Sequence, residues 1–146
     1  MLSCQKISEY KGTHIFADYK GLIGDEYEIG KFVFELMQDS INNASSMKIV
    51  HKNLVVLNSE TQGVETPPGF TAILALLQLD SSHMTVTSFT SHSYSEECEM
   101  GLLCIDVFTC CSDDTSKIIQ YFEDRLIEKY PKVERVSIET HKRFKF

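Results

Sequence analysis

Two segments of the chain carry apolar residues at the spacing of an amphipathic helix. The first stripe consists of Ile29, Phe32, Val33, Leu36, Met37 and Ile41. The second consists of Ile118, Ile119, Phe122 and Leu126. Both follow the i, i+3, i+4, i+7 pattern, which predicts a helix from about residue 29 to the Asn42-Asn43 pair and another over 114–129. Asp25 or Glu26 supplies acidic character at the start of the first helix, and residues 112–114 offer an N-terminal cap for the second helix.

The other apolar segments are rich in β-branched and aromatic residues, which predicts strands. They span residues 14–19, 47–57, 70–79, 83–89, 102–109 and 133–140. The order is therefore β-α-β-β-β-β-α-β. With two helices on one face of an antiparallel sheet, the predicted fold class is α+β, a two-layer sandwich in a single domain over 1–146. The strand at 70–79 is apolar on both pleat faces, so we expect it to be central and covered twice, the second time by another copy of the chain.

Composition narrows the classes of function. The chain has 146 residues, enough for one domain with a full core, and a net charge of −7, which predicts no nucleic-acid partner. Its longest apolar stretch, 70–79, has about half the number of residues that a membrane-spanning helix needs. Its first residues lack the apolar core of a signal peptide. The five Cys have no regular spacing. We therefore expect a cytoplasmic protein without disulfides and without a membrane partner.

Metal-binding and hydrolase motifs are weak in this chain. His92, Cys98, Cys104, Cys110 and Cys111 lie close together but lack the paired spacing of structural zinc ligands, so no metal site is predicted. Cys104 stands mid-strand between apolar neighbours and is interpreted as a small core residue. The chain has no Gly-x-Ser-x-Gly elbow and no glycine-rich phosphate loop.

Four stretches resemble the small, prokaryotic-type S-adenosylmethionine decarboxylases, whose pyruvoyl group is made from their own backbone. They are Gly12-Thr-His14-Ile-Phe-Ala-Asp18-Tyr-Lys-Gly21, Pro67-Pro-Gly-Phe-Thr-Ala-Ile-Leu-Ala-Leu-Leu, Ser82-His83-Met84-Thr85-Val86 and Ile105-Asp106-Val107-Phe108-Thr109-Cys110. The last is the most specific, because it matches the segment with the family's catalytic cysteine nearly residue for residue. The likeness covers most of the chain in the family's order.

The resemblance implies a complete chemistry. Ser82 attacks the carbonyl of Ser81, the chain divides between them, and residue 82 becomes a pyruvoyl group. This covalent cofactor forms a Schiff base with the substrate amine and accepts electrons as carbon dioxide leaves. Cys110 then returns a proton to the carbanion. The implied enzyme is a homodimer of processed protomers that decarboxylates S-adenosylmethionine, a small-molecule substrate, for the biosynthesis of the polyamine spermidine.

The sequence departs from the family at several positions. Ser81 stands where the family has an acidic residue, and Thr87 replaces the His that the family uses for elimination. Phe89 takes the place of a Trp and is predicted to stack on the adenine of the substrate. Ser91 replaces a carboxylate aimed at the ribose hydroxyls.

An insertion of about eight residues follows Phe89 and leaves two interpretations open. In one, His92 replaces the missing processing His, and Glu96 or Glu97 replaces the missing carboxylate. In the other, residues 90–99 form a solvated surface hairpin.

Two alternatives to the decarboxylation of S-adenosylmethionine also stay open. One is a non-processing, non-enzymatic protein that binds a ligand or regulates a partner decarboxylase. The other is a pyruvoyl-dependent decarboxylase of arginine or ornithine, since the altered positions contact substrate and are not the electron sink. His14 and Asp18 are expected to organise the first strand, and His51 and His141 to be exposed.

Overall fold

The structure, a computed structural model, describes residues 12–58, 70–91, 101–110 and 114–143. In that part of the chain the elements are β1 (Gly12–Lys20), α1 (Glu26–Ala44), β2 (Ile49–Asn58), β3 (Phe70–Leu79), β4 (His83–Ser91), β5 (Gly101–Thr109), α2 (Thr115–Lys129) and β6 (Glu134–Arg143). This is the predicted order, and each element lies within a few residues of its predicted bounds. The fold class is confirmed as α+β.

Side-chain caps begin both helices where the sequence indicated. Asp25 accepts a hydrogen bond from the Glu28 backbone N–H, and Asp114 accepts one from the Ser116 N–H. Each carboxylate satisfies a backbone donor that has no partner within the helix and places a negative charge at the positive end of the helix dipole.

The strands form one antiparallel sheet in the order β2-β3-β4-β5-β1-β6. Both helices pack on the same face, where the alternate strand residues are buried. That core includes Ile15, Ile73, Leu77, Val86, Leu103 and Ile105 from the sheet, and Val33, Met37, Ile118 and Phe122 from the helices. We call the opposite side of the sheet the open face, because neither helix covers it.

A polar contact ties the edge strand β6 to the helix layer. The Tyr19 hydroxyl donates to the Glu123 carboxylate at 3.0 Å, and Arg135 of β6 donates to the same oxygen at 3.0 Å. Burial, together with the negative charge of Glu123, raises the pKa of Tyr19, so its hydroxyl keeps its proton and acts as the donor. One partly buried carboxylate, that of Glu123, therefore joins β1, α2 and β6.

One expectation about the sheet is confirmed and another is wrong. β3 is an interior strand, paired with β2 and β4, and Leu74 and Leu76 on its open-face side are 39% and 37% exposed within the protomer, so its cover by a second copy stays a prediction. Cys104 is not a core residue: its neighbours Leu103 and Ile105 take the buried positions, and the pleat turns Cys104 to the open face. Apolar neighbours in sequence do not place a strand residue in the core, because successive side chains point to opposite faces.

Gly101 permits a close approach between the start of β5 and the segment after β1. A Cβ atom at this position would lie 1.8 Å from the carbonyl oxygen of Leu22. The Gly101 carbonyl also accepts a hydrogen bond from the Gly21 N–H at 2.9 Å. The obstruction is backbone, so no side-chain rotation relieves it.

We predict that Gly101→Ala lowers the free energy of unfolding by roughly 2 kcal/mol or more, because an added methyl group overpacks a rigid contact. The matched control is Gly30→Ala in α1, where the new Cβ would meet Ile73 and Val56 side chains at ordinary distances of 3.5 and 3.6 Å. That variant should be neutral or more stable, since Ala favours helix over Gly by about 1 kcal/mol. Urea denaturation measures both, and equal stability of the two variants would contradict the prediction.

Candidate active site

A short hairpin turn presents Ser81 and Ser82 at one end of the sheet. The Leu79 N–H donates to the Ser82 carbonyl at 2.9 Å, which closes the turn between β3 and β4. The Asp80 N–H donates to the Lys48 carbonyl at 3.0 Å, and the Lys48 N–H approaches the Asp80 carboxylate at 3.3 Å. Backbone contacts on both sides therefore hold the turn in place, and Ser82 is buried within it.

The residue after β5 contacts both halves of this turn. The backbone N–H of Cys110 donates to the Ser82 hydroxyl oxygen at 3.2 Å. The Cys110 thiol donates to the Ser81 carbonyl oxygen at 2.9 Å. Cys110 thus contacts groups on both sides of the Ser81–Ser82 peptide bond. It lies 28 positions from Ser82 and 29 from Ser81 in sequence.

This arrangement suits an attack by the Ser82 hydroxyl on the adjoining carbonyl. The N–H of Cys110 holds the hydroxyl oxygen in place, and the thiol donates to the oxygen on which negative charge develops as the carbonyl becomes tetrahedral. Donors aimed at such an oxygen are the usual electrostatic aid to acyl transfer. The backbone conformation at the end of β5 therefore gives Cys110 two roles at once.

A cavity of about 430 Å³ opens beside the turn on the open face. Its lining consists of Leu76, Gln78, Leu79, Ser81, Ser82, His83 and Phe108. This volume falls within the range of small-molecule sites, about 300–1,000 Å³, and the lining combines apolar side chains with a few polar groups.

Next to this cavity, aromatic rings line up across three strands. Strand register pairs His83 of β4 with Phe108 of β5, and Phe108 with His14 of β1. The ring centroids of His83 and Phe108 are 5.6 Å apart, those of His14 and Phe108 6.0 Å, and those of His14 and His83 6.1 Å. His14 therefore lies next to two residues of the cavity lining, whereas the sequence had suggested only a role in organising β1.

His14 also approaches a carboxylate on the neighbouring strand. Its Nε2 atom lies 3.3 Å from Oδ1 of Asp106, and both atoms are buried without a well-formed hydrogen bond within the described residues. Burial lowers the pKa of His14, the nearby His83 and Arg143 act in the same direction, and Asp106 opposes them. The net direction is downward, so the ring is neutral at neutral pH.

Cys104 differs from Cys110 in its surroundings. Burial raises the pKa of the Cys104 thiol, and the carboxylates of Asp18 and Asp106 raise it further. Asp18 in turn accepts a hydrogen bond from the Ser137 hydroxyl at 3.2 Å. Cys104 is thus a protonated thiol on the open face, away from the turn.

The other predicted site residues lie farther from the turn. Thr87 is paired with Cys104, four residues along β4 from His83, or roughly 13 Å at 3.3 Å per residue. Phe89 lies seven residues after Ser82, roughly 23 Å along the same strand. The structure therefore brings together Ser81, Ser82 and Cys110 but not Phe89 within one protomer. His92, Glu96, Glu97 and Cys111 lie outside the described residues.

No protein-family model matches this chain, and no curated protein is significantly similar to it. Among the described residues, no group of three or more His, Cys, Asp or Glu side chains is arranged to hold a metal ion. None of the helices in that same part of the chain combines the length and apolar character needed to cross a membrane.

Sequence reasoning missed that His14 and Asp106 lie next to each other, and that His14 lies next to two residues of the cavity lining, His83 and Phe108. Both belong to stretches quoted for the resemblance, so the sequence did indicate the segments. What it lacked was the register that pairs β1 with β5, since a shift of one residue would turn either side chain to the opposite face.

Proposed function

We propose that this protein is a pyruvoyl-dependent decarboxylase that cleaves itself between Ser81 and Ser82 and acts on S-adenosylmethionine in polyamine biosynthesis. The observation that carries the proposal is the double contact of Cys110, whose N–H meets the Ser82 hydroxyl and whose thiol meets the Ser81 carbonyl. A cysteine that brackets a serine peptide in this way has no evident structural purpose. It does match the chemistry implied by the Ile105–Cys110 stretch.

The proposed cleavage needs no reagent except water. The Ser82 hydroxyl adds to the Ser81 carbonyl carbon, the C–N bond breaks, and the amide becomes an ester with a free amine. Loss of the Ser82 α-proton then forms a Cα=Cβ bond while the Cβ–O bond breaks and its electron pair leaves on the Ser81 carboxylate. Water enters and ammonia leaves as the resulting enamine, after tautomerising to an imine, hydrolyses to the ketone. The two products together therefore exceed the precursor mass by the difference between water and ammonia.

The pyruvoyl group that results would serve as the electron sink for decarboxylation. Its ketone would condense with the substrate amine, and Cys110, already beside residue 82, is the proposed acid for the carbanion. The cavity of about 430 Å³ is within the size range of small-molecule sites, and S-adenosylmethionine is the substrate that the resemblance implies.

A homodimer belongs to the same proposal. Six strands spaced about 4.8 Å apart and about nine residues long present a face of roughly 850 Å². That area equals the roughly 800 Å² that each partner contributes to a standard interface. The open face exposes Phe16, Leu74, Leu76 and Leu102 at 37–39%. If Phe89 stacks on the substrate base, its distance from Ser82 in one chain means that a second protomer supplies it.

We predict that the wild-type chain divides into residues 1–81 and 82–146, the second fragment beginning with a ketone, and that Ser82→Ala stays whole because the attacking hydroxyl is gone. Intact-mass spectrometry measures the fragments, and a hydrazide reagent detects the ketone. Ser137→Ala, an exposed serine of β6, is the control and should divide like the wild type.

A wild-type chain that keeps its full mass after prolonged incubation at neutral pH would contradict this proposal. That outcome would favour the non-enzymatic alternative, which Ser81 and Thr87 motivate. If the chain divides, release of labelled carbon dioxide from carboxyl-labelled S-adenosylmethionine, arginine and ornithine separates the substrate alternatives.

We predict that Cys110→Ala slows division of the chain and also reduces carbon dioxide release per divided protomer by roughly 10²–10⁴-fold, the usual loss for a general acid. The control is Cys104→Ala, a protonated thiol on the same strand that does not touch the turn. It should leave both rates unchanged. Equal rates in the wild type and Cys110→Ala would exclude the role proposed for Cys110.

We predict that Leu76→Glu converts the protein from dimer to monomer, because it places a charge on the open face where the partner would pack. Sedimentation equilibrium measures the mass in solution. Tyr27→Glu, on the exposed side of α1, is the control and should stay dimeric. A wild-type protein that is monomeric at micromolar concentration would exclude the interface.

A further inference from the structure

Three side chains beside the cleavage site have no part in the mechanism as described so far. His83 lines the cavity together with Ser81 and Ser82. The His14 ring meets the His83 ring edge-on, with centroids 6.1 Å apart and an angle of 84° between the planes. Asp106 follows behind His14 at 3.3 Å. These three residues form a row that runs from the scissile peptide to a carboxylate, and we call it the His83–His14–Asp106 row.

His14 and Asp106, at the end of the row away from the turn, have an unusual hydrogen-bond geometry. His14 Nε2 and Asp106 Oδ1 are both buried and lie 3.3 Å apart, but the geometry between them falls short of a well-formed hydrogen bond. Buried polar atoms in native proteins are nearly always satisfied, so this close but imperfect contact calls for an explanation. An imidazole and a carboxylate at this distance are suited to sharing a proton that is transferred to them from a neighbouring group.

The proposed self-cleavage requires a base for its elimination step. The α-proton of residue 82 must be removed, and Thr87, where the resemblance implies a His, has no basic group. In this chain position 87 is five residues along the strand from residue 82, roughly 16 Å, which is too far for direct transfer within the protomer. His83 is adjacent to Ser82 in sequence and shares its cavity.

We propose that His83 is the base that removes the α-proton of residue 82, and that His14, backed by Asp106, is the positioning residue that keeps His83 able to accept it. This inference rests on the proposed self-cleavage. The C–H electron pair becomes the Cα=Cβ bond, the proton passes to the His83 ring, and the Ser81 carboxylate leaves. The Asp106 charge stabilises the cation formed in the row.

The charged and titratable groups around the row determine how its rate depends on pH. Asp106 of β5 favours a proton on His14, whereas Arg143 of β6 and His83 of β4 disfavour it. His141 of β6 pairs with His14 of β1, and Oε2 of Glu139 lies 3.3 Å from Nε2 of His141. Because a base must be unprotonated to accept a proton, the cleavage rate falls at acid pH.

The test measures cleavage rates of freshly prepared precursor by intact mass, from pH 5 to 8. His83→Ala should cleave roughly 10²-fold or more slowly, and added imidazole should restore part of the rate. Asp106→Asn should cleave roughly 10-fold more slowly, with the acid-side inflection moved to lower pH because the anion that favours the cation is gone. His14→Gln should also be slower. His51→Ala, on the exposed edge strand β2, is the control, and thermal melts verify that each variant folds.

Each outcome decides between the two proposals. If the wild type never divides, both the self-cleavage and the row fail. If it divides but His83→Ala and Asp106→Asn keep the wild-type rate, only the row fails. The positioning role of His14 and Asp106 is overturned if their variants slow cleavage by the same factor at every pH, so that the inflection in the plot of rate against pH stays where it is in the wild type. A block in His92→Ala alone would overturn the row in favour of the inserted segment.

Discussion

Antiparallel pairing of β4 with β5 holds together two residues that lie 28 positions apart in sequence. In this register His83 faces Phe108, so the residue before β4 and the residue after β5 meet at the same end of the sheet. Ser82 and Cys110 therefore need no loop to bring them into contact. Because backbone hydrogen bonds along both strands maintain this alignment, the donors of Cys110 are set before any reaction begins, which is the condition for electrostatic preorganisation.

The strand pleat divides the residues of β1, β3, β4 and β5 into two sets. One set packs under α1 and α2 and supplies the core, while the other set faces away from the helices and includes the candidate site residues His14, His83 and Phe108. Cys104 shows how strict this division is, because its buried neighbours on both sides leave it on the open face. A functional sheet face of this kind can change its side chains with little effect on the core, which is consistent with Thr87 and Phe89 departing from the resembled pattern.

The kinds of side chain on the open face change along the strands with distance from the turn. Near the cleavage turn it carries His83, Phe108 and His14, and the next positions along the strands carry Asp106 and Phe16. Leu74 and Leu102 lie farther away and are apolar. The imidazole and carboxylate groups are therefore separated along the strands from an apolar part of the face. Residues seven apart on one strand are roughly 23 Å apart.

The sequence by itself determined the α+β class, the order of elements and the short segments in which each helix begins, because these depend on local periodicity and on side chains a few residues away. The resemblance in four stretches pointed to Ser82 and Cys110. Only the tertiary structure decided that Cys110 touches both sides of the Ser81–Ser82 peptide, that His14 lies next to His83 and Phe108 with Asp106 beyond it, and that Phe89 lies far from the turn. Those facts depend on strand register, and register is set by pairing between distant segments, which local patterns in a single chain do not specify.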